Sequence, residues 1–178
     1  MNNMKIDFKN KTQVALLILI ALTLCFIFGQ SILPPSKSMQ TSDEIAGVVD
    51  GMFTGSSGES SEERSRPMLD FIVKYMRKIA HFVEHGILGI EVFLLFFVLE
   101  KNSGRAKRIM PIDVKTLLFS LNVGLLVGFF DESIQILSGR NYNIIDVWLD
   151  FAGYATFTLV ITLIFVIKNS IKKPLTEV

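Results

Sequence analysis

The chain has 178 residues, 50% of them apolar, and carries a formal net charge of +1. Charge so close to balance excludes a broad basic surface for nucleic acid, and a single cysteine excludes an intramolecular disulfide or a cysteine-based metal cluster. What remains is a membrane class. Four apolar runs approach the about 20 residues a helix needs to cross a roughly 30 Å hydrocarbon core, more buried helix than a soluble chain of this size can enclose.

The first run, residues 13–33, follows Lys5, Lys9 and Lys11. A basic stretch before an apolar run also describes a signal peptide. No A-x-A-like site follows it, however, and Leu24 stands before Cys25 where lipoprotein processing needs a small residue, so the segment reads as a retained anchor. Cys25 itself reads as a small buried hydrophobe in mid-span. Residues 34–77 are rich in Ser, Gly and acids, among them Asp43, Asp50, Glu59 and Glu63. Pro67 marks the start of an amphipathic helix, with Met68, Leu69, Ile72, Val73 and Met76 on its apolar side, which runs straight into a second span at 79–99.

Lys101, Arg105, Lys107 and Arg108 follow that span, a third lies at 116–137, Arg140 stands in a short connection, and a fourth span at 144–167 precedes Lys168, Lys172 and Lys173. Basic residues thus gather at both chain ends and in the second connection, which places these regions in the cytoplasm and the acidic first connection outside. The expected fold class is all-α, an integral membrane bundle of four transmembrane helices. Its divisions are a basic segment with the first helix (1–33), an extracytoplasmic loop with the amphipathic helix (34–77), a three-helix core (78–167) and a cytoplasmic tail (168–178). No internal repeat points to a solenoid.

Ionisable residues interrupt the apolar runs on definite faces. At about 100° per residue, His81, Glu84, His85 and Glu91 share one stripe of the second span, which Lys74, Arg77 and Lys78 extend toward the N-terminus. Asp131, Glu132 and Gln135 occupy the outer end of the third span, and Asp146 and Asp150 open the fourth on one face with Gly153 and Phe157. In the third span Gly124, Gly128, Asp131, Gln135 and Ser138 form a stripe whose small residues allow close helix contact. Charged groups inside a membrane are costly and mark functional sites by default, so the four segments are expected to aim at one extracytoplasmic pocket. The plain alternative is register-fixing ion pairs such as Glu84 with Arg140 or Lys78 with Asp146. Glu91 lies deeper and suits a helix-contact hydrogen bond as well as a functional role. Tyr142 and Trp148 fit interfacial anchoring. There is no Gly-rich phosphate loop and no Ser/His/Asp triad, since Ser133 sits on a different helical face from Asp131.

The segments "RKIAHFVEHGILG" and "FFDESIQILSGRNYNIIDVWLDFAG" together resemble the VanZ-like family of small bacterial membrane proteins. Lys78, His81 and Glu84 match its Lys-x-x-His-x-x-Glu element, and Asp131, Glu132 and Gln135 its Asp-Glu-x-x-Gln element. Gly139 and Arg140 match its Gly-Arg, and Asp146, Asp150 and Gly153 the Asp that precedes a Gly. The likeness covers about residues 70–165. It departs at His85, where the family pattern has an aromatic residue, and at Ser138, where a Pro commonly precedes the Gly-Arg.

The resemblance implies a multi-pass protein of the bacterial cytoplasmic membrane, in a family associated with resistance to the glycopeptide antibiotic teicoplanin. Its partner would be a membrane lipid, a lipid-linked cell-wall precursor or an amphiphilic glycopeptide. Lys78 and Arg140 would bind anionic oxygens, with Gln135, Asp146 and Asp150 completing the binding set. His81, Glu84, Asp131 and Glu132 would form an acid–base cluster. Whether the chain turns over a substrate is left open, and neither a cofactor nor a metal is expected. Three other readings remain: a non-catalytic resistance factor, a proton-coupled carrier, and a zinc-dependent intramembrane hydrolase. The last uses the H-x-x-E-H pattern of His81, Glu84 and His85, with Asp131, Glu132 or Asp146 as third ligand.

Overall fold

Apolar side chains that a water-soluble bundle would bury point outward in this protein. In the computed structural model, Ile18, Leu22, Phe26, Phe119, Leu126 and Leu163 are each about half exposed or more, while Ser31, His85, Glu100, Ser120 and Asp131 are almost wholly enclosed. A polar interior inside an apolar exterior is stable only where lipid, not water, surrounds the bundle. The structure describes residues 6–32, 62–103, 112–139 and 143–171, and within the second helix the side chains of Tyr75 and of Lys78 onward.

Four helices run through the described residues: α1 (Lys11–Ile32), α2 (Glu62–Asn102), α3 (Val114–Leu137) and α4 (Ile144–Ile171). Each contains a stretch long and apolar enough to cross a bilayer, that of α2 being Lys78–Asn102. The protein is therefore a multi-pass, all-α membrane bundle. Helix α2 starts at Glu62, five residues before the Pro67 that the sequence suggests as the start. Pro67 there forfeits one backbone hydrogen bond, a loss confined to the first turns.

The other helix ends follow local chemistry. Asn10 caps α1, its Oδ1 accepting from the amides of Thr12 (3.0 Å) and Gln13 (3.3 Å). Asn143 caps α4, its Oδ1 accepting from Ile145 N at 3.1 Å, with Asp146 in the first turn. Helix α3 ends at Gly139, whose φ of 81° is the left-handed conformation that lets the chain leave the helix without Cβ strain.

Contacts at the two ends fix the directions. Ser31 at the end of α1 meets Asp131 near the end of α3, and Lys78 at the start of the α2 span meets Asp146 at the start of α4. At the opposite end, Glu100 of α2 receives hydrogen bonds from Asp113 N (2.8 Å) and the Thr116 hydroxyl at the head of α3. Consecutive spans thus alternate in direction, and Glu100 does what the Asp113 side chain does not, which is to cap α3.

The bundle centre is Ile27, Leu88, Val92 and Tyr154, with Leu24, Phe96, Leu121 and Val127 packed around it. Helices α2 and α4 approach most closely at Gly153, where a methyl group would collide with the backbone carbonyl of Phe82. The buried stripe of α3 runs through Thr116, Ser120, Gly124, Gly128, Asp131 and Gln135. Gly124 leaves room for the Tyr154 ring, whose hydroxyl lies 3.1 Å from Ser120 Oγ. This is small-residue packing with interhelical hydrogen bonds.

Cys25 is exposed on the outer side of α1 and not buried; the inner face of that helix is set by Ile27 and Ser31, and Cys25 lies about 200° around from Ile27. Glu91 accepts a 2.9 Å hydrogen bond from Thr23 Oγ1, joining α1 to α2 in mid-membrane.

Candidate functional site

The helix directions bring the polar ends of all four spans together. Down α2, Lys78 is about a third exposed at the rim, His81 is 13% exposed at its side chain, and His85 is 1% exposed. Down α4, Asp146 at the rim is about a third exposed and Asp150 below it is 2% exposed. Helical rise puts about 10 Å between Lys78 and His85, so ionisable groups descend from the partly exposed bundle end into its enclosed interior.

At the rim, Lys78 Nζ donates to Asp146 Oδ1 at 2.6 Å, and Asn143 Nδ2 donates to Asp146 Oδ2 at 3.1 Å. The pair that the sequence offers as a register-fixing ion pair is thus formed. Next to it, Glu132 accepts from Gln135 Nε2 (3.0 Å) and from Asn143 N (3.3 Å). Asn143 therefore joins α4's cap, the rim ion pair and Glu132 in a single residue.

Deeper in, Asp131 Oδ1 accepts from Ser31 Oγ at 2.5 Å and its Oδ2 from Gln135 Nε2 at 3.1 Å. His81 Nδ1 lies 3.9 Å from Asp131 Oδ2, and His85 Nε2 lies 3.5 Å from Asp150 Oδ2. The two imidazoles stack 6.4 Å apart, one turn from each other. Glu84 turns toward α1, where Gln30 Nε2 donates to its Oε1 at 3.3 Å.

Of the residues singled out from sequence, Lys78, His81, Asp131, Glu132, Gln135, Asp146 and Asp150 gather at this end of the bundle, with Glu84 on its α1 side; Arg140 and Tyr142 lie outside the described residues. The H-x-x-E-H reading named Asp131, Glu132 or Asp146 as third ligand. Asp131 does lie beside His81, but Glu132 is engaged with Gln135 and Asn143, and Asp146 with Lys78. Ser133 donates to Phe129 O on the exposed side of α3, away from the cluster. Trp148 is exposed on the outer face, edge-on to Phe151, as an interfacial residue would be.

Sequence reasoning missed Gln30, Ser31 and Asn143. Asn143 carried a readable signal, an Asn followed three residues later by an acid at a helix start. Gln30 and Ser31 carried a weaker one, two polar residues closing an apolar run. Ser138, which replaces the Pro of the family pattern, places its hydroxyl within 2.9 Å of Ser31 O and 2.8 Å of Gln135 O and so ties α3 to α1.

A family model described as VanZ/LLP1 matches residues 13–166. No curated protein and no solved structure gives a significant match. The matched region takes in α1 as well as the three helices whose motifs carry the resemblance, in keeping with the part Ser31 plays at Asp131. The chain belongs to the VanZ/LLP1 family.

Proposed function

We propose that this VanZ-family protein binds the polar head of an amphiphile that resides in the membrane of the cell envelope. The candidates share one chemistry, an anionic or hydrogen-bonding head on an apolar body: an envelope lipid, a lipid-linked cell-wall precursor or a lipid-bearing glycopeptide. The observation that carries the reading is the convergence of ionisable side chains at one end of the bundle, from the one-third-exposed Lys78 and Asp146 to the enclosed His85 and Asp150. A ligand entering from the bilayer surface would meet Lys78 first, as a point charge for phosphate or carboxylate oxygens. Asn143, Gln135 and Glu132 would then offer donors and acceptors. By the distribution of basic residues in the sequence this end faces outward.

The cluster also contains an acid–base pair, since His81 Nδ1 lies 3.9 Å from Asp131 Oδ2. A carrier is disfavoured because Glu91 is held by Thr23 and, among the described residues, no other Asp, Glu, Lys, Arg or His lies in mid-span.

Thermal shift of detergent-purified protein tests the reading, with short-chain phosphatidylglycerol, undecaprenyl phosphate and teicoplanin as ligands and phosphatidylcholine as control. An anionic or glycopeptide ligand should raise the melting temperature of the wild type and not of Lys78→Met. Because the Lys78–Asp146 pair is a third exposed, its loss should cost the unliganded fold at most about 1 kcal/mol. A panel without effect, or a shift that survives Lys78→Met unchanged, would overturn the proposal.

A further inference from the structure

Beneath the rim, four potential ligand atoms converge from three helices: His81 and His85 of α2, Asp131 of α3 and Asp150 of α4, with all four atoms within 4.8 Å of one another. Two of them are buried without a hydrogen-bond partner among the described residues, His85 Nε2 and Asp150 Oδ2, on side chains 1% and 2% exposed. They face each other at 3.5 Å without making a hydrogen bond. Leaving such groups unsatisfied in a lipid-surrounded interior is expensive, and two carboxylates at that depth call for neutralisation.

We propose that this quartet binds a divalent transition metal, with Zn²⁺ the best match. Two imidazole nitrogens and two carboxylate oxygens suit its borderline softness, and one Zn²⁺ cancels the charge of the two carboxylates. Bond lengths near 2.0–2.1 Å imply tetrahedral edges of about 3.3 Å. The His85–Asp150 and His81–Asp131 separations, 3.5 and 3.9 Å, are already close to that, and small side-chain adjustments complete the tetrahedron.

A second layer of contacts is present around the candidate ligands. Ser31 Oγ and Gln135 Nε2 both donate to Asp131, which fixes its orientation and brings α1 into the site. Glu84, the residue a zinc hydrolase of H-x-x-E-H type would use as base, instead accepts from Gln30 on the α1 side and is not among the four. Four protein ligands also fill a tetrahedral ion's coordination, where a catalytic zinc keeps a position for water. The metal is therefore a structural clamp that ties α2, α3 and α4 under the pocket, and it does not depend on which amphiphile the pocket takes.

The test uses affinity-purified protein with a tag that carries no histidine. After incubation with excess ZnCl₂ and desalting, elemental analysis should find stoichiometric zinc, and Co²⁺ in its place should give the visible d–d bands of a tetrahedral site. His85→Phe and Asp150→Leu remove a ligand atom while leaving an apolar side chain of similar size, and both should lose the metal and the Co²⁺ spectrum. Lys78→Met should keep them, which separates this proposal from the one for the pocket. Cooperatively melting wild-type protein that takes up only substoichiometric zinc would overturn the clamp. So would zinc retained at the wild-type level in either ligand variant.

Discussion

Replacing Glu100 should destabilise the protein without touching the polar cluster at the opposite end of the bundle. Its carboxylate is fully buried and receives the amide of Asp113 and the hydroxyl of Thr116; Glu100→Ala strands both donors. Thr116 is 8% exposed and poorly placed to recruit water, so losing its acceptor should cost about 1–3 kcal/mol. The Asp113 amide is only partly buried and rehydrates more easily, at well under the same cost. Loss of a carboxylate at the positive end of α3 adds about 0.3–1 kcal/mol. The sum is about 1.5–4 kcal/mol, above the roughly 0.6 kcal/mol averaged by single interhelical hydrogen bonds in membranes, because one side chain serves two donors at a helix end. Glu100→Gln keeps one acceptor oxygen and should fall between. The assay is chemical or thermal unfolding in detergent, with hydrogen exchange at the first turn of α3. Since Glu100 lies about 22 Å along α2 from His85, ligand and zinc binding by the folded fraction should be unchanged. Unfolding of Glu100→Ala indistinguishable from wild type, with unaltered exchange at Asp113, would refute the capping argument.

Gly153→Ala should lower the melting temperature strongly, since the added methyl meets the Phe82 carbonyl and forces α2 and α4 apart, whereas Gly29→Ala, with nothing within 4 Å, should be neutral; equal melting of the two variants would contradict the close approach. The orientation is checked in a Cys25→Ser background by introducing cysteine at Ser57 or Asn102 and labelling whole cells with an impermeant thiol reagent. Ser57→Cys should react and Asn102→Cys should not, and the reverse would turn the polar cluster toward the cytoplasm.

The sequence by itself determined the class and the membership. Four runs of the right length and polarity specify spanning helices because a bilayer leaves backbone amides no alternative to internal pairing, and the ordered motifs from Lys78 to Gly153 specify the family that the VanZ/LLP1 model recovers. It also marked which polar residues are exceptional, since charge inside an apolar helix is visible without coordinates.

What the sequence left undecided was who meets whom. Helical periodicity puts His81 and His85 on one face but is silent about the opposing helix, so it could not choose Asp150 over Asp146 or Glu132 as the carboxylate facing His85. That choice follows from the depth at which α4 packs on α2, set by Gly153 against Phe82. The contribution of α1 was hidden for the same reason. Ser31 and Gln30 are ordinary residues at the end of an apolar helix until the fold sets them against Asp131 and Glu84. Cys25 was misread because in lipid no hydrophobic force draws an apolar residue inward; the buried side of α1 is chosen by contacts such as Ile27 in the bundle centre and Ser31 at Asp131, which only the assembled bundle supplies.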